Sequence, residues 1–440
     1  MKKTLLYLLM LLISCQVLAQ EKLLSEEELQ DYPTYIKLQK SPVDSVYKIT
    51  LENAGMIPDD FDKWVRLQKL TLFGNDWDYD LFNLPGYFYS FPNLTHLSIS
   101  NTDIGSLSTS IKDFTNLKYL NVANNQLVTL PKTMVSLENL RELVIDNNID
   151  KIPAIPALED LSIYFETNFG DDSGYIPEGI AALTTLKSLY LNGENTLINL
   201  PEIISIVKVL PALKKLTIID PNLSEADIKS LSGIKKIEEL NLPSIEVSPE
   251  VFAGFGHLQR LSFGKYLVKD PELRDKFWKT ILGFTKLEEI TTTFAITDTQ
   301  YYRQLKKVNI VLSLDISLED QFAALRNLPT LNKIEFPRYS TIPRNLSELK
   351  TVKQIDVTEL YGVDISVIFG YLMMIPSLEK IIISNDQLTA FPPETVKMVQ
   401  IKEMEIYNVP HGMFTAISQK EKARARKLLP GCKFWYIETF

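Results

Sequence analysis

The sequence predicts an α/β solenoid with a parallel sheet on its concave side and mixed α-helices and 3-10 turns on its convex side. Three observations predict this fold class. One hydrophobic frame returns about seventeen times, at intervals of roughly 18 to 29 residues. Several of the intervening linkers have helical periodicity. The chain of 440 residues is 45% hydrophobic, which is enough apolar material for a large core.

The repeating frame has an apolar residue at position 1 and two more at positions 4 and 6. Positions 4 and 6 alternate with period two, which predicts a short strand with one buried face. Frames run from Val46 to Phe434, nearly the whole chain after its first segment. The clearest of them are Leu117-Leu120-Val122 and Leu140-Leu143-Ile145.

The most regular block has further features beyond its strand. Asn125 follows Leu117 by eight residues, and Leu130-Pro131 comes next. An asparagine at that place can hydrogen-bond the backbone of neighbouring turns and hold the bend after each strand. This block resembles the leucine-rich repeat family, in its exported bacterial type with Leu-Pro repeats. The resemblance implies a horseshoe-shaped solenoid.

Some repeats depart from the asparagine pattern, which predicts that their turns satisfy backbone groups in another way. The residues found in place of the asparagine are Thr102, Glu166, Glu194 and Pro221.

The linkers between frames differ in length and periodicity. Helical spacing of apolar residues predicts helices over 201–210, 272–282, 320–328 and 365–375. The repeats that begin at Leu94 and Leu117 are shorter, which predicts 3-10 or extended turns in their linkers. Strands that alternate with such linkers predict right-handed crossovers and parallel pairing.

The first 19 residues have the features of a signal peptide. Two lysines precede a short apolar run, Leu5 to Ile13, which is too short to span a bilayer permanently. Cleavage after Ala19 and lipidation of Cys15 in a lipobox-like segment both fit these residues. Either outcome predicts an exported protein that is periplasmic, on the cell surface or extracellular.

We expect a single domain with a cap at each end. Residues 20–45 form the N-terminal cap, with 23–40 as a helical or irregular lid over the first strand. Residues 46–410 carry the leucine-rich repeats, and 411–440 form the C-terminal cap. In that cap a charged helix from Ser418 to Leu428 precedes a last strand, with Cys432 at the inward fourth position.

Charge and cysteine content exclude several classes of function. The chain has 46 basic and 55 acidic residues, and this acidic balance argues against a nucleic-acid binder. Beyond Ala19 no apolar stretch is long enough for a membrane span. Either route of export leaves Cys432 as the only thiol in the folded body, so no internal disulfide is predicted.

No catalytic site, metal site or cofactor is predicted. His96, His257 and His411 are isolated, with His96 at an exposed strand position, and neither zinc nor nucleotide motifs occur. Asp76 to Asp80 alternates carboxylates but lacks the glycine and the closing glutamate of a calcium loop, so we expect a solvated loop there.

The candidate ligand-binding site lies on the predicted concave face, where positions 3, 5 and 7 of successive strands align in columns. Exposed aromatic residues there are typical of interface anchors, although tyrosine also suits strands for its packing alone. Loops over 75–91 and 165–175 add possible contacts. The candidate residues are Tyr119, Val144, Asp146, Asp160, Tyr164, Tyr190, Asn192 and Ile219.

These observations together predict a non-catalytic, exported, monomeric module that binds another protein through its concave face. It requires no cofactor, binds no nucleic acid and does not span a membrane, although lipidated Cys15 would anchor it. A glycan- or peptide-binding envelope protein is an alternative. A surface hydrolase or ligase with an unrecognised site, and a purely structural envelope protein, are two others.

Overall fold

The structure is a computed structural model. It describes residues 23–30, 32, 34–35, 45–51, 61–74, 86–165, 176–193, 198–220, 223–338, 342, 344–360, 363–385, 388, 390–408 and 417–438. The predicted signal peptide with Cys15, the Asp76 to Asp80 segment, His411 and most of the two predicted loops lie outside these residues.

Contacts within the chain define two compact units. The first comprises Met1–Glu166 and Tyr175–Leu186, and the second comprises Thr167–Gly174 and Lys187–Phe440. The single domain and its cap boundaries stay predictions.

The described residues of the first unit form seven strands, and each of these pairs in parallel with the next along the chain. A short helix, α1 (Glu26–Leu29), precedes them, and its N-cap Ser25 forms a capping box with Glu28. The strands are β1 (Thr34–Tyr35), β2 (Lys48–Leu51), β3 (Lys69–Phe73), β4 (His96–Ser100), β5 (Tyr119–Asn121), β6 (Glu142–Asp146) and β7 (Asp160–Tyr164).

In the part of the second unit that the structure describes there are eleven strands, again parallel and in chain order. They are β8 (Ser188–Asn192), β9 (Lys215–Ile219), β10 (Glu239–Asn241), β11 (Arg260–Ser262), β12 (Glu289–Thr293), β13 (Val308–Val311), β14 (Leu331–Glu335), β15 (Gln354–Asp356), β16 (Lys380–Ser384), β17 (Glu403–Asn408) and β18 (Lys433–Glu438).

Helices of the second unit lie between its strands or before the last one. They are α2 (Leu200–Val209), α3 (Glu225–Ser232), α4 (Pro271–Leu282), α5 (Thr299–Tyr302), α6 (Leu318–Leu325), α7 (Ile365–Leu372) and α8 (Gln419–Leu428).

The recurring frame forms the core of each unit. Leu117, Leu120 and Val122 are buried in the first unit, as are Leu143 and Ile145 of the next repeat. The same three positions are buried in the second unit, for example at Leu378, Ile381 and Ile383. The predicted fold class is confirmed: both units have parallel strands, the helical segments in the described crossovers of the first unit are 3-10, and those of the second unit include α-helices and 3-10 segments.

The crossovers follow the predicted division by repeat length. The four predicted helices correspond to α2, α4, α6 and α7, and the short repeats carry 3-10 segments at Thr109–Asp113 and Lys132–Ser136. Helix α3 was not predicted from periodicity. Its N-cap Ser224 and Asp227 form a capping box, which is a local signal that indicates a helix start.

The N-terminal cap differs from the predicted lid. It contains α1 and an additional strand, β1, whose residues Thr34 and Tyr35 pair with Lys48 and Ile49 of β2. Among the described residues no helix combines the length and the apolar character needed to cross a bilayer.

The register of the last strand corrects the placement of Cys432. Phe434 and Tyr436 of β18 pair with Met404 and Ile406 of β17, which occupy positions 4 and 6 of their frame. Phe434 and Tyr436 are therefore the inward pair, and both are buried. Cys432 precedes the strand and is only half-buried, so it is not the inward fourth residue.

Candidate functional site

In each unit, positions 3, 5 and 7 of the strands lie on one face of the sheet, which is called the concave face. In the first unit, parallel register aligns its residues into rows across the strands. His96, Tyr119, Glu142 and Asp160 form one row. Asn121, Val144 and Ser162 form the second, and Asp146 pairs with Tyr164 in the third.

The concave face of the first unit is covered over its early strands. Small side chains on β2, β3 and β4, such as Thr50, Thr71 and Ser98, are buried. Part of the cover is the segment that leads into α1, because Leu24 exchanges two hydrogen bonds with the side chain of Gln68, at 3.0 and 3.1 Å.

Glu26 of α1 reaches further across this face. Its carboxylate pairs with Lys69 of β3, and it lies 3.5 Å from Nε2 of His96 on β4. Burial, followed by the neighbouring Lys69, lowers the pKa of His96 to about 4, so this imidazole is neutral at pH 7. His96 is thus half-buried under the cap, which corrects the expectation of an exposed histidine.

From β5 onward, several residues of the concave face are partly accessible to solvent. Tyr119, Val144, Asp160 and Tyr164 are all half-buried rather than covered. The Tyr119 ring stacks on His96, with centroids 5.8 Å apart and planes tilted by 24°. His96, which Glu26 contacts from the cap, therefore supports one side of the Tyr119 ring and restricts its orientation.

The accessible patch carries negative charge. Glu142, an exposed residue between Tyr119 and Asp160 in their row, was not among the predicted site residues. Partial desolvation by the surrounding protein, followed by the neighbouring Asp160, raises the pKa of Glu142. Burial, Glu142 and Tyr164 together raise the pKa of Tyr119 to about 12, so this phenol stays protonated and can donate. A cation placed here would relieve the repulsion between the two carboxylates.

Asp146, one of the predicted ligand-binding residues, is buried in the structure and has a structural role. It is only 3% exposed, and its Oδ2 accepts a hydrogen bond from the backbone N–H of Asn125 at 3.2 Å. A buried carboxylate that satisfies a backbone donor of the preceding repeat holds the turn. It does not present a charge to a partner.

Asn125 performs the role predicted for it. Its amide nitrogen donates to the carbonyls of Ile99, Val122 and Ala123 at 2.7, 3.0 and 3.1 Å. Its Oδ1 accepts from both the backbone N–H and the hydroxyl of Thr102, at 3.1 and 2.9 Å. One side chain thus links two consecutive turns, and threonine in the earlier turn supplies the matching donors.

The remaining three candidates lie in the second unit. Tyr190 and Asn192 of β8 and Ile219 of β9 are half-buried, and Asn192 pairs with Ile219 in register. The neighbouring concave positions are occupied by charges that pair with one another. Lys215 contacts Glu239 at 2.8 Å, and Glu239 also contacts Arg260 at 3.2 Å.

The described residues offer little for other chemistry. Within the part of the chain that the structure describes, no group of three histidine, cysteine or acidic side chains is placed to hold a metal ion. Burial raises the pKa of Cys432 to about 12, with a further contribution from Glu403, so its thiol is protonated at neutral pH.

Short parallel strands that repeat with the same inward positions define a solenoid repeat protein. Residues 92–149 match the sequence model of the family described as leucine rich repeat. The predicted resemblance to leucine-rich repeats is thereby confirmed on the block that contains Asn125, whereas the exported bacterial type stays a prediction. Comparison with curated proteins finds no match.

Solved structures of other repeat proteins are similar to the chain. One is a leucine-rich repeat protein of Leptospira interrogans, 18% identical, with 91% of this chain and 99% of that chain covered and a TM-score of 0.35. Another is TLR13, solved as a complex with ssRNA13, at 15% identity, with 93% and 66% covered and a TM-score of 0.43.

Proposed function

We propose that this protein is an exported, non-catalytic module that binds another protein through the concave face of its first unit. The binding patch is defined by Tyr119, Tyr164, Glu142, Asp160 and Val144. The observation that carries the proposal is the change in burial along this sheet. The early strands are covered, whereas the two tyrosines and the acidic pair stay accessible.

The chemistry of the patch favours a basic, partly apolar partner surface. Tyrosine is enriched among interface hot spots because it buries a large area at low conformational cost and keeps a polar tip. Glu142 and Asp160 attract cationic side chains and increase the rate of encounter with them. The rigid sheet beneath fixes the positions of these groups, which lowers the entropic cost of association.

The double substitution Tyr119→Ser/Tyr164→Ser tests this assignment. We expect partner capture from native extract to weaken at least tenfold, since each hot-spot tyrosine contributes about 2 kcal/mol or more. The measurement is quantitative pull-down with the purified variant. Both tyrosines are half-buried on a strand surface, so circular dichroism should show an unchanged fold.

The matched control is Tyr371→Ser/Tyr407→Ser, which removes two half-buried tyrosines from the second unit. It should capture as much partner as the native protein. Equal capture by all three proteins would exclude the first-unit patch as the binding site.

Export is part of the proposal and has its own support. The charged start and the short apolar run fit a signal peptide. Mass spectrometry of the mature amino terminus distinguishes the two routes, because it identifies either Gln20 or an acylated Cys15.

A further inference from the structure

A small cavity opens at the ends of β11, β12 and β13 in the second unit. Its volume is about 290 Å³, and its lining is mainly apolar. The floor contains the buried rings of Tyr266 and Phe294. Tyr266 is fixed there because its ring stacks on Phe277, with centroids 3.9 Å apart, and its hydroxyl donates to the carbonyl of Val247 at 3.0 Å.

The rim of this cavity is also apolar, and it is exposed. Leu267 and Ile296 line the cavity and are 43% and 55% exposed. Leu314 lies between the lining residues Ser313 and Asp315 and is 63% exposed. Large apolar residues that are exposed together around a concave site are typical of interaction surfaces rather than of a solvated loop.

A basic and an acidic side chain lie at the mouth of the cavity. Lys265 pairs with Asp315, and this contact joins the repeats of β11 and β13 across the repeat between them. The two side chains are 35% and 75% exposed, so solvent screens their attraction and the pairing is weak. Lys265 and Asp315 can therefore separate and each bind an oppositely charged group of a ligand at little cost in free energy.

The charge inside the cavity is already satisfied. Arg274 pairs with Asp298 through Nε and Nη2, both at 2.5 Å. Its Nη1 donates to the carbonyls of Tyr266 and Val268, at 3.1 and 3.3 Å. The charge inside the cavity is therefore neutralised, and the charged groups left for a ligand to reach are Lys265 and Asp315 at the mouth.

From this arrangement we infer that the cavity is a docking site for a polypeptide segment that inserts one apolar side chain of leucine size. An acidic residue beside that anchor pairs with Lys265, and a basic residue pairs with Asp315. The volume lies at the low end of small-molecule sites, which are roughly 300–1,000 Å³, and suits a single anchor. A small ligand in the cavity would leave Leu314 exposed, whereas a segment of chain covers the rim as well.

The test uses capped tripeptides and the intact protein labelled at leucine and isoleucine methyl groups. Ac-Glu-Leu-Lys-NH2 should produce saturable NMR shifts at Leu267, Ile296 and Leu314. Ac-Glu-Ala-Lys-NH2 should bind at least about tenfold more weakly, because it lacks the anchor. No saturable shift, or equal shifts with both peptides, would overturn the inference.

Two variants locate the site. Ala295→Phe places a ring in the cavity and should abolish the shifts. Leu267→Ser should weaken peptide binding without affecting folding, because Leu267 is exposed. Val399→Ser, at an exposed valine outside the cavity lining, is the control and should bind as the native protein does. Shifts that persist in both cavity variants would contradict the site. Equally tight binding of N-acetyl-leucine amide would show a small-ligand site instead.

Discussion

Replacing Asp298 with alanine should lower the free energy of unfolding by about 3–5 kcal/mol, because it leaves the guanidinium of Arg274 partly buried and without its counter-charge. Asp298 is buried and binds Arg274 through both carboxylate oxygens. The two residues belong to consecutive repeats, so their contact also joins α4 to the turn that precedes α5. Urea unfolding followed by circular dichroism measures the loss.

An exposed pair of the same type provides the control. Arg326 and Glu348 also join neighbouring repeats, at 3.2 Å, but their side chains are 50% and 45% exposed. Glu348→Ala should therefore cost no more than about 1 kcal/mol. The double replacement Arg274→Leu/Asp298→Leu should recover much of the stability, since no unpaired charge remains. A loss below about 1 kcal/mol for Asp298→Ala would contradict the assigned role.

Asn125→Ala should be nearly as destabilising, with an expected loss of about 3–5 kcal/mol from several unpaired buried groups at about 1–3 kcal/mol each. The substitution removes the acceptor of Thr102 and the donor to three carbonyls in consecutive turns. Water cannot replace these partners readily, because Asn125 is buried. The same urea titration measures the effect.

Asn139→Ala is the matched control for this prediction. Asn139 donates one hydrogen bond, to the carbonyl of Thr115 at 2.8 Å, in an exposed position. Its removal should cost about 1 kcal/mol or less, since water can satisfy the carbonyl. If both asparagine variants unfold at the same urea concentration, Asn125 does not hold the turns together.

Local pattern was sufficient to predict the strands and most crossovers. Apolar residues at positions 4 and 6 of a strand lie on the same face, so the burial of Leu120 and Leu143 follows from the spacing alone. The role of Asn125 was predictable for a similar reason. Its amide has donors and an acceptor within reach of the turns next to it.

Long-range contacts were not predictable from the pattern. Glu26 and Lys69 are far apart in sequence, and no local signal indicates that the first helix reaches the concave face at His96. The last strand was ambiguous because Cys432–Phe434 and Phe434–Tyr436 both fit a period of two. Pairing with β17 decides between them.

The candidate site was predictable in part, because the strand period fixes which residues share a face but does not fix their burial. Columns of residues at positions 3, 5 and 7 follow from the strand period, and Tyr119 and Tyr164 lie in them as expected. Burial within a column depends on tertiary partners. Asp146 is consequently buried by its bond to Asn125, whereas Glu142 in the same strand is exposed.

Photo-crosslinking from the two sides of the first unit tests the central claim most directly. A benzophenone amino acid replaces Ser162, which lies between Asp160 and Tyr164 on the concave face, or Val135, which is exposed in a 3-10 crossover. Each protein is irradiated in native extract, and its adducts are identified by mass spectrometry. The account predicts a specific protein adduct from position 162 and none from position 135. Adducts from position 135 alone, or the same adducts from both positions, would contradict it.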